Sequence, residues 1–182
     1  TKNEWIFSID ADEELSPALR DEIQAIEYEG VKAEISGYDM PRCVQYEGSW
    51  IRHGDWYPDR LVRLFRRDKG KFAGGKVHER LEIDGEIGIL EGELYHHSFK
   101  DRDDHWRRCE KYARLWAETQ FEGGRKVGIF APSTHALFRW FRGYILKHGF
   151  LDGLIGLRIA NFCAREVHLK YRLLREMNRV KA

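Results

Sequence analysis

The first apolar run, Trp5 to Ile9, is interrupted only by Ser8 and reads as a buried strand. Ser16-Pro17 then supplies a helix N-cap and a proline at the first helical position, and Leu19, Ile23 and Ile26 recur at helical spacing until Gly30 ends the run. Between 37 and 66, polar positions alternate with Tyr38, Met40, Val44 and Tyr46, then with Leu61, Val62, Leu64 and Phe65, which predicts strands. The loop joining them, from Gly48 to Pro58, is long for a hairpin, and long ordered loops often carry function. Gly70 to Gly75 reads as a glycine-rich hinge before KVHERLEI, and IGILEGELYHHS predicts a further strand ending in His96 and His97.

From Asp101 the period changes to that of a helix, with Trp106, Tyr112, Leu115 and Trp116 as its apolar positions and Gly123-Gly124 as its end. Two more helices are predicted, at about 133–148 and 150–176, with Gly149 as the break. In the first of these, Leu137, Trp140, Phe141, Tyr144 and Ile145 share one arc, whereas Arg139, Arg142 and Lys147 lie opposite. An amphipathic basic helix of this kind suits an anionic membrane surface, and packing against a core accounts for its apolar face equally well. FLDGLIGLRIANF is broken by Asp152 and Arg158, so it lies on or against something and does not span a bilayer. The pattern therefore divides the chain into a strand-rich part, 1–100, and a helical part, 101–182.

Composition adds bounds. A 182-residue chain with 42% hydrophobic content can bury a core and is not generally disordered. It opens on Thr1 with a strand by Trp5, which leads us to expect that further sequence precedes it. Cys43, Cys109 and Cys163 form no CxxC pair, as expected of reduced thiols. The sequence shows no signal peptide and no apolar run near the roughly 18 residues of a membrane span. The net charge of +1 hides a gradient: residues 1–99 carry 13 basic and 21 acidic side chains, whereas 133–182 carry 10 and 3. Such polarity suggests a cation in front and an anionic surface behind.

Asp10 and Asp12 stand two residues apart at the end of a strand, where open α/β sheets place ligands. Such a pair can hold Mg²⁺ or Mn²⁺ bridged to phosphate oxygens, or can be an acidic turn whose Asp12, Glu13 or Glu14 favours the positive end of the next helix. VHER, 77–80, sets His78 beside Glu79; it lacks the HExxH spacing of zinc proteases but can supply a general base, or be a surface pair. His96 and His97 face opposite sides of a strand, so only one can enter a given cleft, as a ligand or as a bonded core residue. Arg60, Arg63, Arg66 and Arg67 can neutralise phosphate from at most one face, and most are expected to be solvated.

Taken in order, WIFSIDADEELSP, YPDRLVRLFRR, KVHERL, ELYHHS and YILKHGFLDGLIGLRIA resemble the family-2 glycosyltransferases, in particular the branch containing lipopolysaccharide core glucosyltransferases. The resemblance implies an α/β fold: the C-terminal part of a GT-A mixed sheet with flanking helices, followed by an amphipathic helical tail. It implies inverting transfer from a nucleotide-diphosphate sugar such as a UDP-sugar to a lipid-linked or polysaccharide acceptor, with a divalent cation, at the inner face of the bacterial cytoplasmic membrane, and with no nucleic-acid partner. By the same resemblance Asp10 and Asp12 form the DxD motif. Asp12 is the metal ligand and Asp10 lies nearer the donor's ribose or sugar. Glu79 is the catalytic base, His78 orients it or the acceptor, and His96 approaches the metal and diphosphate. The family's N-terminal nucleotide-binding region has no counterpart here. Two other classes compete: a membrane-surface binding module or partner subunit of the same fold without the chemistry, and a metal-dependent hydrolase using Asp10, Asp12, His78 and His96.

Overall fold

The computed structural model describes residues 3–29, 34–73, 80–99 and 101–180. The chain is of the α/β class and falls into two compact units, one of residues 1–45 and 57–98, the other of residues 46–56 and 99–182.

The first unit is built on a mixed sheet. The strands of the described residues are β1 (Trp5–Phe7), β2 (Glu13–Leu15), β3 (Ile35–Tyr46), β4 (Ser49–Ile51), β5 (Asp59–Arg66), β6 (Gly70–Ala73), β7 (Arg80–Ile83), β8 (Glu86–Ile89) and β9 (Leu94–His96), of which β6 and β7 form a two-stranded sheet of their own and β4 belongs to the second unit. The main path runs β1-β5-β3-β9-β2. β3 pairs antiparallel with β5 but parallel with β8 and β9, so it is central and nearly continuously buried, as a strand flanked on both edges should be. The predicted hinge is corrected in part: Gly70–Ala73 form β6, which pairs antiparallel with β7 from Gly70↔Ile83 to Ala73↔Arg80. IGILEGELYHHS likewise supplies two short strands rather than one, because Leu90 to Glu93 leave the ladder between β8 and β9.

Helix α1 (Pro17–Glu29) starts as its sequence predicts, with the Ser16 hydroxyl accepting from the Leu19 amide at 3.1 Å. It lays Leu19, Ile23 and Ile26 against Tyr38, Met40, Leu64, Leu90 and Leu94 of the sheet. Gly92 permits the close approach, since a Cβ there would overlap the backbone of Leu19.

The second unit begins where β3 ends. Tyr46 leads through Glu47-Gly48, both at positive φ, in the two-residue turn that matches strand twist, and then into β4. A 3₁₀ turn, Gly54–Trp56, follows. Helix α2 (Arg102–Glu122) is capped by Asp101, whose carboxylate accepts from the Asp104 amide at 2.7 Å, and closes on Gly123. Helix α3 (Ala131–Phe141) runs into a π-helical turn, Arg142–Leu146. A 3₁₀ turn, Gly149–Asp152, then leads into α4 (Gly153–Val180). The core holds Tyr46, Ile51, Ile159 and Cys163, with Trp56, Phe99, His105 and Phe162 forming an aromatic cluster around Tyr46. Cys43, Cys109 and Cys163 are buried and unbridged. Among the described residues no helix is long and apolar enough to cross a membrane.

Candidate functional site

Beyond β1 the chain turns sharply: the Glu13 amide donates to the Asp10 carbonyl at 3.0 Å, closing a turn over Asp10-Ala11-Asp12-Glu13. β2 then pairs antiparallel with β9, setting Glu13 opposite His96. The turn sorts its acids by depth. The Asp10 and Asp12 side chains are 59% and 50% exposed, whereas that of Glu13 is fully buried.

The reading in which Glu13 favours the positive end of the next helix is therefore corrected. Glu13 lies in a strand, and its carboxylate is the anchor of the turn. It accepts from the Asp10 amide at 3.1 Å and from Arg63 at 2.7 Å, and Arg42 stands 3.5 Å away. Burial of a carboxylate requires such pairing. Glu14, 66% exposed, faces His97 at 3.6 Å.

The Arg63 guanidinium, 16% exposed, also donates to Asp10 at 2.7 Å. One arginine thus fixes both ends of the turn from β5. Its neighbours in DRLVRLFRR are equally occupied, correcting the expectation that most are solvated. Arg60 holds Asp39 at 2.8 Å and the Leu90 carbonyl at 2.7 Å, Arg66 pairs with Glu4, and Arg67 donates to the Asn3 carbonyl. The signal in the sequence is the spacing of three among Arg60, Arg63 and Arg66, which go to different acids.

The two histidines part as the strand period requires. His97 goes to Gln45 at 3.0 Å and to Glu14, while the Nε2 of His96 comes within 3.3 Å of an Asp12 carboxylate oxygen. Burial, then the nearby Arg42 guanidinium, hold the His96 pKa below its usual value, so the ring is neutral near pH 7. Its Nδ1 is buried and without a hydrogen-bond partner among the described residues. A neutral imidazole beside a half-exposed carboxylate is a two-donor set whose chemistry fits a divalent cation. Among the described residues no group of three or more His, Cys, Asp or Glu side chains converges as a metal site. His78 and Glu79 lie outside the described residues.

In the second unit, a surface hollow of about 500 Å³ is lined by Arg102, Arg158, Asn161, Phe162 and Arg165. Glu47 pairs with both Arg102 and Arg158, the latter at 2.7 Å, which leaves three guanidinium groups against one carboxylate. The sequence reading missed this hollow because its arginines come from two helices and its acid from a turn.

No family model matches the chain. It is similar over nearly all its length to proteins named as glycosyltransferases. The lipopolysaccharide core biosynthesis glycosyltransferase LpsC of Rhizobium meliloti (strain 1021) is 30% identical over 178 residues, 93% of this chain and 65% of the relative. Uncharacterized glycosyltransferases of Rickettsia typhi and Rickettsia prowazekii are each 24% identical, over 97% and 85% of this chain and 63% and 56% of their own lengths. The chain spans somewhat under two thirds of the length of these relatives.

Proposed function

We propose that the chain carries the acceptor-side half of an inverting, metal-dependent glycosyltransferase of the GT-A fold and family 2. The observation that carries this reading is the Asp10–Glu13 turn, which presents two exposed carboxylates, that of Asp12 3.3 Å from the His96 ring. Similarity to a protein named for lipopolysaccharide core biosynthesis supports a membrane-associated glycan as acceptor; the cytoplasmic face of the inner membrane is the place we propose for the transfer.

Asp12 and His96 would hold the cation, and the mixed carboxylate–imidazole set would favour Mn²⁺ over the strictly oxygen-seeking Mg²⁺. Such a cation would supply compensation for the charge of the departing diphosphate. Asp10, steered by Arg63, accepts from hydroxyls of the donor's ribose or sugar. Glu79 takes the proton of the acceptor hydroxyl as that oxygen attacks the anomeric carbon and the bond to the diphosphate breaks on the opposite side. The product is the inverted glycoside, the nucleoside diphosphate leaves, and the proton remains on Glu79. The arginine-lined hollow offers an anionic group of the acceptor charge-assisted hydrogen bonds.

Asp12→Ala and Glu79→Gln, made in the protein containing this chain, should each lower transfer from a UDP-sugar by at least about a hundredfold while circular dichroism stays unchanged. Near-normal turnover in either overturns the role assignment. A second reading, a binding module of the same fold, is favoured by the pairing of Asp10, Asp12, Glu13 and Glu14 with the protein's own Arg63, His96, Arg42 and His97. Calorimetry with Mn²⁺ and UDP separates the two, since the module gives no metal-dependent heat.

A further inference from the structure

The amphipathic stretch of the second unit is turned opposite to the arrangement expected of a helix packed on a core. Asp55, only 3% exposed, collects Arg142 at 2.8 Å, Arg139 at 3.1 Å and Lys147 at 3.4 Å. Asp152 accepts from the His53 amide at 2.9 Å and meets the His53 ring at 2.7 Å. Gly54, Gly143, Gly149 and Gly156 line the same small gap, and a Cβ at Gly156 would overlap the Gly149 carbonyl. The acidic and small positions therefore face inward, and the three cations, Arg139, Arg142 and Lys147, reach toward Asp55 while staying 29%, 38% and 48% exposed. The apolar ones face out: ten large hydrophobic side chains between Ile129 and Leu154 are exposed, including Phe130 at 74%, Leu137 at 69%, Phe138 at 60%, Leu151 at 59% and Leu154 at 73%. At 100° per residue Phe130, Leu137, Phe138, Phe141 and Ile145 fall within an arc of about 100°.

We propose that this face inserts into the interfacial layer of an anionic bilayer, lying in the membrane plane with α3, the π-helical turn and the start of α4. The occupant follows from charge. Three partly exposed cations on one buried carboxylate leave an excess of two positive charges on the segment that carries the apolar face, and the segment's single acid, Asp152, is only 9% exposed and tied to His53. A segment of exposed apolar side chains, excess positive charge and no exposed acid of its own complements anionic headgroups over acyl chains. The inference deepens the reading of the acceptor as lipid-linked, and rests on it only for its biological purpose.

The test is flotation of the full chain with vesicles of phosphatidylcholine alone or with about one third phosphatidylglycerol. The wild type should float with the anionic vesicles and several-fold less with the neutral ones. The doubly exposed variant Leu137→Ser/Phe138→Ser should partition roughly a hundredfold more weakly at unchanged helicity, from the area withdrawn from lipid. Absence of flotation, or equal flotation of the variant, overturns the proposal. So does self-association that the variant abolishes without any vesicle binding, which would give the face to a second copy. Transfer to a soluble acceptor, measured without vesicles, is read separately: flotation without transfer leaves the membrane face standing and removes the enzyme.

Discussion

At the scale of single residues, the decisive object is the buried Glu13 carboxylate with Arg63 on one side and Arg42 further off. A buried acid is tolerated only while its cation remains, so removing Arg63 exposes the full desolvation cost. Arg63→Ala should destabilise the protein by about 3 kcal/mol in urea unfolding, and adding Glu13→Gln should recover part of that loss. Equal destabilisation by the single and double variants would show that the arginine matters by packing alone. The sequence made the carboxylates of DADEE visible but not their division of labour. Depth is decided by pairing with β9, a contact more than eighty residues away, and no local pattern encodes it.

At the scale of elements, the cap of α1 and the end of α2 were legible because they act locally: Ser16 on α1 and Gly123 closing α2 are short-range chemistry. The direction of the amphipathic face was not. The 3.6-residue period states which side chains share a side, but Asp55, in a turn some ninety residues earlier, decides which side is inward. The long loop flagged by the sequence thus acts as an anchor for a helix. Its fit depends on the bare contact of Gly156 with Gly149, so Gly156→Ala should cost about 1–3 kcal/mol through forced displacement of the helix start. Thermal unfolding followed at 222 nm checks it, and an unchanged midpoint would remove the close approach.

For the molecule as a whole, stability against pH gives a sharp expectation through His105, buried among aromatic rings with its Nδ1 3.0 Å from the Tyr46 hydroxyl. Burial holds its pKa below 6.5, while Glu166 opposes the shift. The unfolded chain therefore takes up this proton first, and the stability due to the neutral ring is complete above about pH 6.5 and declines as pH falls toward the lower folded value. His105→Phe should flatten the fall in denaturation midpoint between pH 7 and 5; an unaltered slope would assign the pH dependence to other groups. The acidic front and basic tail read from the sequence survive as a property of charge count. The structure assigns much of each to internal pairs, so net charge overstates what either surface offers a ligand.

The three unbridged cysteines give the molecule built-in clocks. Cys43 belongs to the sheet unit, Cys109 and Cys163 to the helical one, and burial pushes the Cys109 thiol up to about 12 and raises that of Cys163. Those two thiols are almost wholly protonated at neutral pH, and all three, being buried, react with an alkylating reagent only when their surroundings open. Mass-resolved alkylation of the untouched wild-type chain can therefore time the opening of the two units separately, with no engineered label.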